Sequence, residues 1–247
     1  MQNKICLFIR EESYMLFYDY YYLILVLPAV IFSIWASISV NSTFDKYSKT
    51  LSARRVTGRE AAEMVLRQSG ISDVRVEHVS GKLTDHYDPR TKVIRLSDAV
   101  YGSTSVAAIG VAAHEAGHAV QHSESYKPLT LRNAIIPITN IGSKLAVPLI
   151  LLGIFLSYLG EFFLVVAYIG IICFSLSTLF QLLTLPTEFN ASRRAVAAIE
   201  NGGILDPSEI RGTKKVLSAA ALTYVAALAV SIMQLIRLLA IVNNTKR

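Results

Sequence analysis

The chain has 247 residues, 53% of them hydrophobic and only 17% charged, with a formal net charge of +6 and a mean hydropathy of +0.45. That balance excludes an ordinary soluble domain and points to a membrane protein. The two cysteines, Cys6 and Cys173, exclude a disulfide framework, and neither has His or Cys neighbours at metal-ligand spacing.

Residues 1–20 read as an N-terminal tail. It runs into a tyrosine belt (Tyr18, Tyr20, Tyr21, Tyr22) of the kind found at a lipid–water boundary. Residues 21–40 follow as an apolar run of the ~20 residues that cross hydrocarbon. This run starts late, is too long for a signal-peptide core and ends without a small-x-small cleavage site, so it is expected to stay as an anchor. Residues 41–144 return to ordinary soluble composition. Thr57-Gly58-Arg59-Glu60 is a capping box opening a helix that runs to Gln68 and stops at Gly70. Asp73 to Val79 sets Val74 and Val76 against Arg75 and Glu77, the alternation of a strand. Gly81 to Tyr87 and Thr91 to Ser97 predict a hairpin turning at Asp88-Pro89-Arg90. Lys92 to Leu96 is the expected outer strand, where an extended peptide could pair.

A helix from about Ser103 to His122 carries His114-Glu115-Ala116-Gly117-His118, which fits the zinc-hydrolase motif H-E-x-x-H. Histidines four apart lie on one helical face, and both imidazoles can reach one tetrahedral zinc at roughly 2.1 Å. Glu115 points beside them, where a carboxylate can take a proton from the attacking water and pass it to a leaving amine. Two histidines bracketing a glutamate on an apolar helix are costly to bury without a partner. A Zn2+ ion is the expected cofactor.

Further along, residues 145–159 and 162–182 form two apolar runs broken only by Gly160-Glu161, which reads as a tight transmembrane hairpin. Residues 183–216 are polar again. Pro186 to Arg194 starts a helix ending at Asn201-Gly202-Gly203, and Asp206-Pro207-Ser208-Glu209 is a second capping box. Residues 217–242 form a fourth span. Basic residues flank these spans unevenly: Lys46, Lys49, Arg54, Arg55 and Arg59 follow the first, and Arg193, Arg194, Arg211, Lys214 and Lys215 precede the last. The opposite side has only Lys4, Arg10, Lys246 and Arg247, so the positive-inside rule puts both termini outside and the motif in the cytoplasm. Cations clustered beside spans disfavour nucleic acid as a partner.

A catalytic zinc usually takes three protein ligands. His122 continues the spacing, but it lies about 12 Å along the helix from His114, too far to share an ion. The metzincin continuation needs glycine at 121 and histidine at 124, where the chain has Gln121 and Glu124. His78 and His86 precede the motif on strand-like segments. Glu188 is the better candidate, because the span pair returns the chain to the side of His118 just before it. Glu124 is the runner-up. An N-terminal-turn role for Glu188, favoured by the helix dipole, is the competing structural explanation. His86, Tyr87, Arg193 and Arg194 are the available oxyanion donors, and Asn190 or Ser192 could orient a ligand.

Three stretches, Leu83 to Arg90, Ser103 to Ala119 and Leu185 to Ala195, closely resemble the bacterial YugP-like membrane zinc metallopeptidases of the neutral zinc metallopeptidase family. The likeness runs from about Met15, an alternative start, to the end of the last span. It implies a multi-pass bacterial membrane protein with His114 and His118 as zinc ligands and Glu115 catalytic. The segment from Glu188 to Ala191 also resembles the third-ligand motif of HtpX-type and CAAX-prenyl endopeptidases, which usually have aspartate where this chain has Ser192. The expected fold is an α-helical membrane protein with about four transmembrane helices and a small α+β zincin-like catalytic region. The expected function is a membrane-anchored, gluzincin-like zinc endopeptidase acting on peptides or membrane proteins. A zinc-binding assembly or regulatory protein without peptidase activity is the alternative. A transporter is disfavoured, because Glu161 lies in a turn and Arg237 near a span end.

Overall fold

The computed structural model describes residues 20–245. All of the expected tail but Tyr20, including Cys6 and Tyr18, lies outside the described residues, as do Lys246 and Arg247. In chain order the elements are α1 (Leu27–Ser48, opened by a π-helical turn Tyr22–Val26), α2 (Gly58–Gln68), β1 (Arg75–His78), β2 (His86–Asp88), β3 (Val93–Leu96), α3 (Val106–Ser123), α4 (Lys127–Ser157), α5 (Leu164–Asn201) and α6 (Pro207–Asn244). Among the described residues, α1, α4, α5 and α6 are the four helices long and apolar enough to cross a membrane. Their outward side chains, such as Ile31, Ile38, Leu151, Phe155 and Ile172, stand exposed. Exposed apolar side chains in such numbers suit hydrocarbon rather than water. This is an α-helical membrane protein with a small α+β region at one end.

The α4–α5 hairpin turns through a 3-10 segment at Glu161–Phe163. Its arms approach closely because glycines face the partner backbone. A Cβ on Gly170 would lie 2.8 Å from the Ala146 carbonyl oxygen, and one on Gly153 would strike Ala167. Small residues replace hydrophobic drive as the source of helix contact in lipid.

Several boundaries differ from the sequence expectation, and the first helix runs on past residue 40 to Ser48. Helix α4 begins at Lys127, well before Leu145, and α5 continues without interruption through Pro186 to Asn201. Pro186 removes one N–H from the helical ladder, which usually ends a helix in water. Here Thr184 and Thr187 donate their hydroxyls back to the Phe180 and Leu183 carbonyls at 2.8 and 3.1 Å, and membrane helices tolerate proline when such groups supplement the ladder. The third span and the polar helix after it are therefore one rod.

The sheet order is β1-β3-β2, with β1 parallel and β2 antiparallel to β3. Val93 to Leu96 is thus the middle strand, not the outer one. Val93, Ile94 and Leu96 are buried, and a strand covered on both faces belongs in the centre. The hairpin at Asp88-Pro89-Arg90 does form, pairing Tyr87 with Ile94, but β2 starts only at His86. Asp85 instead accepts hydrogen bonds from the Ser97 backbone N–H and hydroxyl at 2.8 and 2.9 Å. Both capping boxes are present, at Thr57/Glu60 and Asp206/Glu209. Glu209 also accepts from the Ala53 N–H at 2.8 Å, tying the exit of α1 to the start of α6.

One core joins the α+β region to the ends of the spans. It contains Leu66 of α2, Ile94 of β3, Ile109 of α3, Ile199 of α5, Leu217 of α6 and Phe44 of α1. Helix α3 threads the middle, and its alanines and glycines let neighbours come near. A Cβ on Gly110 would meet the Thr213 methyl at 2.8 Å, and one on Gly117 would meet the Ala191 carbonyl oxygen at 2.7 Å. Backbone cannot yield as a side chain can. Gly117→Val is therefore expected to push α3 from α5, costing about 1–3 kcal/mol and lowering the thermal midpoint by roughly 5 °C or more. Gly102→Ala, with open space around it, serves as the control. Equal midpoints in detergent thermal-shift measurements would contradict this packing.

Candidate metal centre

Helix α3 presents His114 and His118 one turn apart, with ring centroids 4.7 Å apart at 85°. The middle of α5 brings Glu188 opposite them. Glu188 Oε2 lies 3.3 Å from His114 Nε2 and 3.5 Å from His118 Nε2, and one ligand atom from each residue falls within 4.8 Å of the others. Glu188 is only 3% exposed. A buried carboxylate needs compensation, and here two imidazoles and one arginine supply it. Arg132 Nη1 of α4 sits 3.4 Å from Glu188 Oε1, and its guanidinium lies over the Phe180 ring at 5.8 Å. One oxygen of Glu188 thus faces the histidines and the other faces the arginine.

The outward ring nitrogens are also held. His118 Nδ1 pairs with Gln121 Oε1 at 3.0 Å, and Gln121 in turn donates to the Thr187 carbonyl at 2.8 Å and to Asn190 Oδ1 at 2.9 Å. Arg194 donates to the same Asn190 oxygen at 2.7 Å. His114 Nδ1 lies 3.1 Å from Ser192 Oγ. With Nδ1 bonded outward, each imidazole turns Nε2 to the common point. The donor set is two oriented, partly buried imidazole nitrogens and one oxygen of a buried carboxylate, which fits a divalent zinc.

Burial opposes the charged form of His118, but the hydrogen bond to Glu188 and the nearby Glu115 charge outweigh it and raise its pKa. A proton and a dication would compete for this ring, so metal binding here releases protons.

Glu115 lines a cavity of about 160 Å³ together with His114, Glu188 and Tyr224. Tyr224, from α6, is thereby brought to the same cavity as both carboxylates.

The other candidates are placed elsewhere. His78 pairs with Asp98 at 2.6 Å, His86 with the Thr84 carbonyl at 2.7 Å, and His122 with the Tyr87 hydroxyl at 2.8 Å. Burial pushes Tyr87 up to about 12, so its hydroxyl stays protonated beside His122. Glu124 pairs with Arg194 at 2.7 Å. Among the described residues, none of the four expected oxyanion donors (His86, Tyr87, Arg193, Arg194) lines the cavity.

Three contributors escaped the sequence reading. Gln121 was weighed only as a missing metzincin glycine. Arg132 follows Lys127 at the head of an apolar helix and is equally readable as a headgroup anchor. Tyr224 is one aromatic inside a span, and its polar tip was the only signal.

Residues 22–243 match a family described as "putative neutral zinc metallopeptidase". The chain belongs to that family. It is also 49% identical, over 90% of its length and 97% of the relative's, to the "Putative membrane protease YugP" of Bacillus subtilis (strain 168). No solved structure matches the chain.

Proposed function

We propose that the protein is a membrane-anchored zinc endopeptidase in which His114, His118 and Glu188 hold the metal and Glu115 is the general base. The observation carrying this reading is the convergence of two imidazoles and a buried carboxylate within 4.8 Å, beside a second carboxylate in one cavity. Zinc, when bound, polarises the scissile carbonyl and brings a water's pKa towards neutrality. Glu115 then receives the proton of the attacking water and returns it to the leaving amine. Arg132 fixes the outward oxygen of Glu188, so the inward one keeps its direction. The Tyr224 hydroxyl donates to the oxygen on which negative charge develops, a role worth several kcal/mol for a well-placed donor.

The cavity wall opposite Glu115 is apolar, made by Val40 and Phe44 of α1 and Val216, Leu217 and Ala220 of α6. It suits an apolar substrate side chain next to the scissile bond. Leu83 and Asp85, which lead into the edge strand β2, line the same cavity. An extended substrate therefore pairs along β2. The uneven basic flanks support a site at the cytoplasmic surface, where polypeptides emerging from lipid would be the natural substrates.

The test is hydrolysis of casein or a membrane-protein substrate by detergent-purified protein. Stripping the metal with a chelator is expected to abolish cleavage, and zinc, added alone, to restore it. Chelator-insensitive cleavage, or none in zinc-loaded protein, would refute the endopeptidase reading. The second outcome would favour a zinc-binding protein without peptidase chemistry.

A further inference from the structure

A second site lies between the first and last spans. A cleft of about 590 Å³ separates the C-terminal end of α1 from the N-terminal part of α6. Lys46, Arg211, Lys214 and Lys215 line it, together with Ser39, Thr43, Tyr47 and Ser218, and no carboxylate is among its lining residues. Nearby acids are engaged elsewhere. Asp45 pairs with Lys82 at 3.4 Å, and Glu209 accepts from two backbone N–H groups. Lys214 alone of the four cations has an ion pair among the described residues, with Glu200 at 2.8 Å, and both side chains are about half exposed, so that pair holds it weakly. The wall is fixed rather than loose, because a Cβ on Gly212 would lie 2.8 Å from the Tyr47 ring.

The depth of the cleft is informative. On α1 the residues Trp35, Ser39, Thr43 and Lys46 recur at helical spacing on one face. Trp35 is exposed among lipid-facing side chains, and Lys46 lies about 16 Å further along the axis. On α6 the apolar run starts at Val216, directly after Lys215. The cations and hydroxyls therefore stand at the edge of the hydrocarbon, with the exposed Trp35 face of α1 below them. That is the shape and charge of a phospholipid with an anionic head.

We propose that the α1–α6 cleft binds the phosphate headgroup of an anionic membrane lipid, with an acyl chain running down α1 past Trp35. A free phosphate shares the headgroup chemistry, but only the lipid also covers Trp35. The site opens between the same two helices that wall the catalytic cavity, yet it contains no residue of the metal centre. It stands or falls independently of the peptidase reading.

Trp35 is the single tryptophan of the chain, which makes the test direct. Full-length protein is reconstituted in phosphatidylcholine nanodiscs in which either the phosphatidylcholine itself or added phosphatidylglycerol carries bromine on its acyl chains. Trp35 fluorescence is then read against the brominated fraction. Half-maximal quenching is expected at an about tenfold lower fraction of the anionic lipid, given the charge of three cations without ion pairs near the surface. Lys46→Gln/Arg211→Gln/Lys215→Gln should abolish that preference, and Lys215→Gln alone should weaken it. Lys49→Gln/Arg55→Gln/Arg67→Gln, with the same charge change outside the cleft, should leave it intact. Equal quenching by both lipids in wild type would overturn the proposal. So would an unchanged preference in the triple cleft variant, or relief of quenching by millimolar inorganic phosphate, which would assign the cleft to a soluble anion.

Discussion

Glu115→Gln is expected to keep zinc at the wild-type stoichiometry while peptide hydrolysis falls by about 10²- to 10⁴-fold, the range a positioned general base supplies. The substitution preserves volume and removes only the proton-accepting oxygen. His114, His118 and Glu188 keep their geometry, because none of them is held by Glu115: their partners are Ser192, Gln121 and Arg132. Metal analysis and hydrolysis measured on one preparation separate the two effects. Full activity in this variant would remove Glu115 from the chemistry. Loss of zinc would show that it supports the metal instead.

Glu188→Ala acts on the other quantity. It removes the proposed third ligand and also leaves Arg132 beside two histidines with no carboxylate between them. Zinc affinity should drop by more than the roughly 10- to 100-fold that loss of a supporting hydrogen-bond partner causes. Glu188→Gln keeps the shape but not the charge and should fall between the two. Competition against a chromogenic chelator measures both variants. Wild-type zinc content in Glu188→Ala would exclude Glu188 as a ligand.

The parts of this site that were legible in the sequence are those set by local geometry. Helical periodicity alone puts His114 and His118 on one face with Glu115 beside them, so the motif needs no knowledge of the fold. Glu188 could be nominated because a span pair must return the chain to its starting side. Arg132, Gln121 and Tyr224 come from three helices, and their meeting at one carboxylate or imidazole depends on packing angles that no local pattern encodes. Strand order fails for the same reason. Lys92 to Leu96 mixes the cations Lys92 and Arg95 with apolar Val93, Ile94 and Leu96, and only non-local pairing with both β1 and β2 makes it central. Pro186 misled in a different way. The rule that proline ends helices holds in water, whereas this helix runs on through Pro186 with threonine hydroxyls bonded to the carbonyls of Phe180 and Leu183 on either side of the gap.

The uninterrupted course of α5 through Pro186 has a mechanical corollary. Glu188 rides on the same rod as the lipid-facing Ile172, and the histidines rest on that rod at Gly117 and Ala191. No cut through the chain frees the chemistry from its anchor: an excised fragment ending after α3 would carry the histidines but neither the acid opposite them nor a complete interior. Tilting that rod, as a thicker or thinner bilayer does, would move Glu188 relative to the two histidines. Hydrocarbon thickness would thereby act on the proposed centre through a single stiff lever.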